Sequence, residues 1–329
     1  MAVLGAGSWG TTVATLACRN TPTTLWSRRP EVAQEINEQH TNDRYLPRTP
    51  LPRALLATDS VEHAVRDADL VVMGVPCRGI RATLEEVQKF LRPWVPIISL
   101  SKGLEQGTHL RMTQVINDVI PDHPAGALTG PNLAREIMAG FAAASVIAID
   151  DERVARQVQR VFHSGLFRVY TNMDVVGCEL GGALKNVIAI ASGMGDGLGV
   201  GDNTRSAVIT RGLSEITNLG IAMGGHARTF AGLAGMGDLI ATCISPQSRN
   251  RYVGEQLGRG RTIAEITAEM HMVAEGVSTS RVVLELAATH GIELPIAREV
   301  FGVVHEGRTA QEAYRGLVRR MPGAETDVG

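Results

Sequence analysis

Met1-Ala2-Val3-Leu4-Gly5-Ala6-Gly7-Ser8-Trp9-Gly10 opens the chain, and its reading decides the fold. A short apolar run feeds into Gly5-x-Gly7-x-x-Gly10. Thr11 to Arg19 then reads as a helix with Val13, Leu16 and Ala17 as its apolar positions, and Thr23-Thr24-Leu25-Trp26 as a second strand. Strand, glycine turn, helix and strand in close succession lift a weak glycine spacing to a dinucleotide-binding fingerprint. The glycines tighten the turn and let backbone approach a pyrophosphate. The helix N-terminus adds free N–H groups and the positive end of its dipole. Only four residues precede Gly5, against about five or six in a usual core strand, so the first strand is short or begins upstream.

The end of the second strand speaks to the cofactor. An acidic side chain there would take the ribose hydroxyls of NAD. The chain instead has Trp26-Ser27-Arg28-Arg29, with Glu31 beyond Pro30. Two guanidiniums suit the 2′-phosphate of NADP(H), with NAD(H) the alternative. Further unbroken apolar runs follow at 69–76, 96–103, 127–132 and 143–149. Such runs, separated by helices, predict a Rossmann-type doubly wound parallel sheet covered on both faces, over residues 1–170. Ligands of such sheets sit at the carboxyl ends of strands, where Ser8, Lys102 and Asn132 fall.

From about Thr171 the texture becomes helical and glycine-rich, which predicts an all-helical domain over 171–329. Asp174 is placed to cap a helix running through Ala191. Its glycines lower helix propensity by roughly 1 kcal/mol each, a cost met by close packing against backbone or ligand. Lys185-Asn186 lies in its apolar middle. The chain has 32 Lys+Arg, and only Lys89, Lys102 and Lys185 are lysine. Against that strong arginine preference, a lysine among apolar residues asks for a chemical reason, although a snorkelling side chain is the plainer alternative. Burial lowers a lysine's pKa and suits it to proton transfer near neutrality. Lys89, in a polar stretch, reads as an exposed helix face. Asp238, a lone carboxylate in Gly235-Met236-Gly237-Asp238-Leu239, either caps a helix or orients an ammonium. Ser245-Pro246-Gln247-Ser248-Arg249-Asn250-Arg251 reads as a helix start, with Ser245 as N-cap and Pro246 in the first turn, whose hydroxyl, guanidinium and amide groups make either a phosphate site or an ordinary charged first turn. Residues 196–203 read as a flexible loop.

Composition limits the rest. The formal net charge of −2 gives no footprint for nucleic acid. The four cysteines are far apart, without metal-ligand spacing, so no metal is expected and a reducing compartment is. No apolar run is read as long enough for a membrane span, and the opening residues lack the pattern of an export signal. A cytoplasmic protein without membrane insertion is expected.

The sequence resembles the NAD(P)-dependent glycerol-3-phosphate dehydrogenases of the bacterial type, essentially end to end. The resemblance is carried by the glycine turn, Ser101-Lys102-Gly103, Gly130-Pro131-Asn132-Leu133-Ala134-Arg135-Glu136, Glu179-Leu180-Gly181-Gly182-Ala183-Leu184-Lys185-Asn186-Val187, Gly235-Met236-Gly237-Asp238-Leu239, Ser248-Arg249-Asn250-Arg251 and Ala274-Glu275-Gly276-Val277. It implies reduction of dihydroxyacetone phosphate to sn-glycerol 3-phosphate, for glycerophospholipid synthesis. It makes Lys185 the proton donor or acceptor and Asp238 its orienting, substrate-binding partner. Lys102 is then a contact to both substrate and cofactor, and Gly130 part of the substrate site. Ser248, Arg249 and Asn250 hold the substrate's phosphate, with Arg249 also near the cofactor. Gly5, Gly7, Ser8, Trp9, Gly10, Arg28, Arg29, Ala134, Val273 and Glu275 contact the dinucleotide. Asn132 departs from the family, which often has Thr or Ser there; an amide can still bond a substrate hydroxyl. A homodimer is expected. Two other readings remain open: a different two-domain hydride-transferring enzyme (hydroxy-acid, ketopantoate or nucleotide-sugar dehydrogenase, the last needing Cys243 as nucleophile) and a non-catalytic dinucleotide sensor.

Overall fold

The computed structural model describes residues 1–270 and 274–318; Val273, expected at the cofactor, lies outside the described residues. The chain divides into two units, one of residues 1–101 and 110–175, the other of 102–109 and 176 onward. The boundary expected at 170/171 falls inside a strand.

The first unit is built on eight strands: β1 Ala2–Leu4, β2 Thr24–Trp26, β3 Leu56–Thr58, β4 Val71–Met73, β5 Ile97–Ser99, β6 Ala125–Thr129, β7 Ala143–Ile149 and β8 Phe167–Asn172. Their order is β3-β2-β1-β4-β5-β6-β7-β8. β1 pairs in parallel with β2 and β4, Leu4 lying opposite both Trp26 and Met73. The helices are α1 Ser8–Ala17, α2 Pro30–Gln39, α3 Val61–Val65, α4 Cys77–Val87, α5 Met112–Val119, α6 Ala134–Met138 and α7 Glu152–Phe162. Residues of one strand alternate between two cores. Val3, Val72 and Ile98 pack with Val13 and Leu16 of α1. Ala2, Leu4, Val71, Met73 and Ile97 pack with Ile80, Leu84 and Ile116 on the opposite face. Both faces being covered, no polar alternation is needed, which is why these strands read as continuous apolar runs.

Three details correct the sequence reading. β7 runs antiparallel to β6, with Ala127 opposite Ala148; an apolar run carries no mark of direction. β3 and the edge strand β8 were not anticipated. β8 buries Phe167 and Val169 but exposes Arg168 and Tyr170, so its signal was alternation rather than an apolar run. Lys89 is exposed, but in the turn after α4.

The second unit is helical: α8 Val175–Leu198, α9 Asp202–Ala222, α10 Ala227–Phe230, a π-helical turn Leu233–Gly237, α11 Asp238–Ile244, α12 Arg249–Gly258, α13 Ile263–Glu269, α14 Glu275–His290, α15 Pro295–His305 and α16 Ala310–Val318. α8 is long and apolar enough to cross a membrane, which corrects the expectation that no run reaches that length: Glu179 and Lys185 break the apolar run but not the helix. Its most apolar window is 94% buried inside the protein, so that apolarity serves the core. Its glycines are points of backbone contact. A Cβ on Gly193 would stand 2.0 Å from the Arg251 carbonyl oxygen, and one on Gly254 2.0 Å from that of Ile190. α8 and α12 therefore cross almost backbone to backbone. Residues 196–203 are no flexible loop: α8 continues to Leu198, and Asp196 is anchored by Arg205 and Arg251, each 2.7 Å away.

Candidate active site

In the first unit the glycine turn links the end of β1 to α1. Gly5 has φ +118°, and a Cβ there would meet the Gly74 backbone at 2.7 Å. A Cβ on Gly10 would stand 2.0 Å from the Gly5 carbonyl oxygen. The chain's own packing requires both glycines. Gly7 is different. Its φ of −72° and ψ of 176° suit any residue, and nothing among the described residues lies within 4 Å of a Cβ placed there. A pyrophosphate drawn onto bare backbone at the start of α1 accounts for that glycine, so the turn fits a dinucleotide. Ser8 opens α1. Trp9 packs on Phe167 with ring centroids 6.3 Å apart.

Beyond β2, Arg29 has a loose ion pair with Glu31 at 3.9 Å. Arg28 is exposed and has no ion pair among the described residues. Gly130, after β6, has φ +119° and lies against Ala144 and Ser145. Asn132 donates from Nδ2 to Ser145 Oγ at 3.0 Å, and that hydroxyl donates to the Thr129 carbonyl at 2.7 Å. Ala134 is the first residue of α6.

In the second unit three expected residues meet directly. Asp238 begins α11 and is 2% exposed. Its Oδ1 accepts from Lys185 Nζ at 2.6 Å and its Oδ2 from Lys102 Nζ at 2.7 Å. Both carboxylate oxygens of Asp238 are thus engaged by ammonium groups, and the N-cap position of α11 is taken by Gly237. Lys185 does not snorkel: it is 4% exposed. Burial drives its ammonium down from 10.5 to about 8; Asp238 pulls upward, and the like charge of Lys102 pushes down. A lysine so placed exchanges its proton near neutral pH.

The sequence reading missed Thr242. Its hydroxyl receives Lys185 Nζ at 2.5 Å and donates to the Asp238 carbonyl at 2.6 Å. The available signal was its place four residues after Asp238, on the same helix face. Asn186 was quoted but given no part. Its Nδ2 donates to the Lys102 carbonyl and its Oδ1 accepts from Asn250 Nδ2, both at 2.9 Å. Asn250 Oδ1 in turn accepts from Gly276 N–H at 2.9 Å. The Asn250 amide thus joins α8, α12 and α14.

Helix α12 starts three residues later than expected. Ser245 is the C-cap of α11, and Ser245-Pro246-Gln247-Ser248 forms a turn closed by Ser248 N–H on the Ser245 carbonyl. Ser248 is the true N-cap, accepting from Arg251 N–H at 3.2 Å. Ser-Pro opens a turn as readily as a helix, and here the turn wins. Arg249 is the first residue of α12 and Glu275 the first of α14; Glu275 is the charge facing Arg249. Cys243 is wholly buried, and burial pushes its thiol up to about 12, out of nucleophilic range.

Comparison with known proteins points to one family by domain models, by sequence and by structure. The N-terminal domain family of NAD-dependent glycerol-3-phosphate dehydrogenase matches residues 1–155, and the C-terminal domain family residues 174–315. A glycerol-3-phosphate dehydrogenase of the NAD(P)+ type from Sphingopyxis alaskensis is 59% identical over 327 residues, covering 99% of this chain and 98% of the relative. One from Mycobacterium tuberculosis is 56% identical over 324 residues, covering 98% and 95%. The crystal structure of glycerol-3-phosphate dehydrogenase from Coxiella burnetii superposes with a TM-score of 0.93 at 34% identity, covering 97% and 98%. Matched across both halves, this chain belongs to the NAD-dependent glycerol-3-phosphate dehydrogenase family and is an NAD(P)-using oxidoreductase.

Proposed function

We propose that the chain reduces dihydroxyacetone phosphate to sn-glycerol 3-phosphate, reversibly, with NADPH as the favoured donor and NADH the second. The observation that carries this is the buried Lys185 held between Asp238 and Thr242, with Lys102 on the other oxygen of Asp238. When bound, the reduced nicotinamide supplies the hydride to the substrate carbonyl carbon. The chain's residues do the rest. Lys185 Nζ delivers a proton to the carbonyl oxygen and takes it back in the reverse reaction. Asp238 fixes the Lys185 ammonium and keeps it charged against burial. Lys102 is the second cation beside the reacting oxygen. Ser248, Arg249 and the start of α12 take the phosphate, and Asn250 holds that end in place. Gly130 and Asn132 line the substrate, while Gly5, Gly7, Ser8, Trp9, Gly10, Arg28, Arg29, Ala134, Val273 and Glu275 serve the dinucleotide.

A nucleotide-sugar dehydrogenase is disfavoured because Cys243 is buried and protonated. A sensor without chemistry has no need of two lysines on one carboxylate. A homodimer stays part of the proposal on altered grounds. Glycines of α8 and α12 are spent inside the chain, whereas Met236 of the π-helical turn and Ile240 and Ile244 of α11 are exposed apolar side chains. Four free cysteines support a cytoplasmic setting, and the product suits glycerophospholipid synthesis. Absorbance at the nicotinamide band, with dihydroxyacetone phosphate and each reduced nucleotide in turn, tests the assignment. Turnover with neither nucleotide overturns it.

A further inference from the structure

Asn42 lies far along the chain from the glycine turn, in the irregular segment between α2 and β3. It is wholly buried. Its Nδ2 donates twice, to the Ala6 carbonyl at 3.0 Å and to Thr11 Oγ1 at 2.9 Å. The first acceptor is inside the glycine turn and the second in the first turns of α1. A backbone carbonyl only accepts, so the amide orientation is fixed: nitrogen must face Ala6. Asn42 Oδ1 is then left buried without a partner among the described residues. Stability alone selects against an unpaired buried oxygen. The residue is also held from both sides, since Glu35 Oε1 of α2 accepts from Thr41 Oγ1 at 2.8 Å and Asp43 N–H at 2.7 Å.

We propose that Asn42 is a positioning residue for the dinucleotide: its amide, braced on α2, holds the Ala6 carbonyl and so sets the Gly7–Ser8 backbone that receives the pyrophosphate. Because the pyrophosphate is common to both nucleotides, Asn42 governs affinity for NADPH and NADH alike and has no part in choosing between them. This rests on the dinucleotide reading of the turn.

Binding of each reduced nucleotide to the full chain, followed by nicotinamide fluorescence, provides the test. Asn42→Ala strands a buried carbonyl and is expected to weaken both nucleotides about tenfold. The NADPH-to-NADH ratio is expected to stay the same, as are kcat at saturation and KM for dihydroxyacetone phosphate. Thr11→Val keeps the shape and the Ala6 bond, so its effect is expected to stay within about threefold, the value of one modest hydrogen bond. Asn42→Asp, equal in shape, turns an acceptor onto an acceptor and carries the same expectation where Asn42→Ala does not fold. Asn42→Ala binding as wild type does, Thr11→Val matching it, or a parallel loss of kcat and substrate affinity each overturns the proposal. Wild-type chain binding neither nucleotide would instead strike the dinucleotide reading itself.

Discussion

Replacing Lys185 with methionine separates chemistry from stability. The ammonium sits at a pKa of about 8 in the folded chain, against 10.5 ordinarily. At 1.36 kcal/mol per unit, a charged Lys185 opposes folding at pH 7 by about 3 kcal/mol, with the pull of Asp238 already included. Methionine fills a similar volume without charge, and Asp238 keeps Lys102 at 2.7 Å. Lys185→Met is therefore expected to raise unfolding free energy at pH 7, by up to about 3 kcal/mol, while removing a general acid worth about 10²- to 10⁴-fold in turnover. The sign with pH follows from proton counting. Between about 8 and 10.5 the unfolded chain binds the lysine proton and the folded chain does not, so this contribution makes wild-type stability rise with pH across that window. The variant lacks that rise, and its advantage shrinks as pH climbs. Urea unfolding at pH 7 and pH 10, with nicotinamide absorbance for turnover, reads both halves. A variant less stable at pH 7 than wild type, parallel pH slopes, or turnover above a tenth of wild type would each refute the reasoning.

Ketone reduction needs the Lys185 ammonium, so its kcat/KM is expected to fall as pH rises through about 8; kcat/KM for alcohol oxidation needs the amine and is expected to rise there, and initial rates at low substrate in both directions across pH 6–10 are the check. Arg28→Glu is expected to move preference from NADPH toward NADH by about tenfold or more, through loss of a charge-assisted contact to the 2′-phosphate; unchanged kcat/KM ratios would remove Arg28 from that role. Glu215 of α9 accepts from Ile296 and Ala297 N–H at 2.6 and 3.1 Å, capping α15. Glu215→Ala is expected to lower unfolding free energy by about 3 kcal/mol, read by urea titration, with Glu215→Gln milder.

What the sequence disclosed and what it hid divide by range. Gly5 and Gly10 answer to backbone contacts of their own βα turn and its neighbouring strand, so their spacing is a local signature of the fold. Six of the eight strands were legible as apolar runs, while β3 and β8 escaped because each exposes side chains; the reversal of β7 was hidden because a run of apolar residues is the same in either direction. Lys185 and Asp238 are 53 residues apart and Lys102 and Asp238 136 apart. No periodicity links such positions; the scarcity of lysine singled out two of the three, and the family resemblance joined them. Thr242 escaped because a threonine beside a cysteine in an apolar helix has many uses. Ser245 misled because Ser-Pro satisfies turn and helix alike until the residues after it are placed.

The glycine-rich texture of the second unit and the altered lysine share one physical cause. A Cβ on Gly181 would stand 2.6 Å from the carbonyl oxygen of Ala234, so α8 touches the backbone of the π-helical turn that leads into Asp238. With side chains absent from that seam, two main chains close onto each other. Lys185, one helical turn further along α8, is then buried beside the start of α11, where Asp238 and the Thr242 hydroxyl answer its charge and the like charge of Lys102 opposes it. Side chains larger than hydrogen at the seam would separate the helices and admit water. Water would restore the lysine to its ordinary basicity and weaken its hold on a defined proton position. The helix propensity lost at the glycines is thus the structural condition for a buried lysine, and that burial is the condition for an ammonium that gives up its proton near neutral pH.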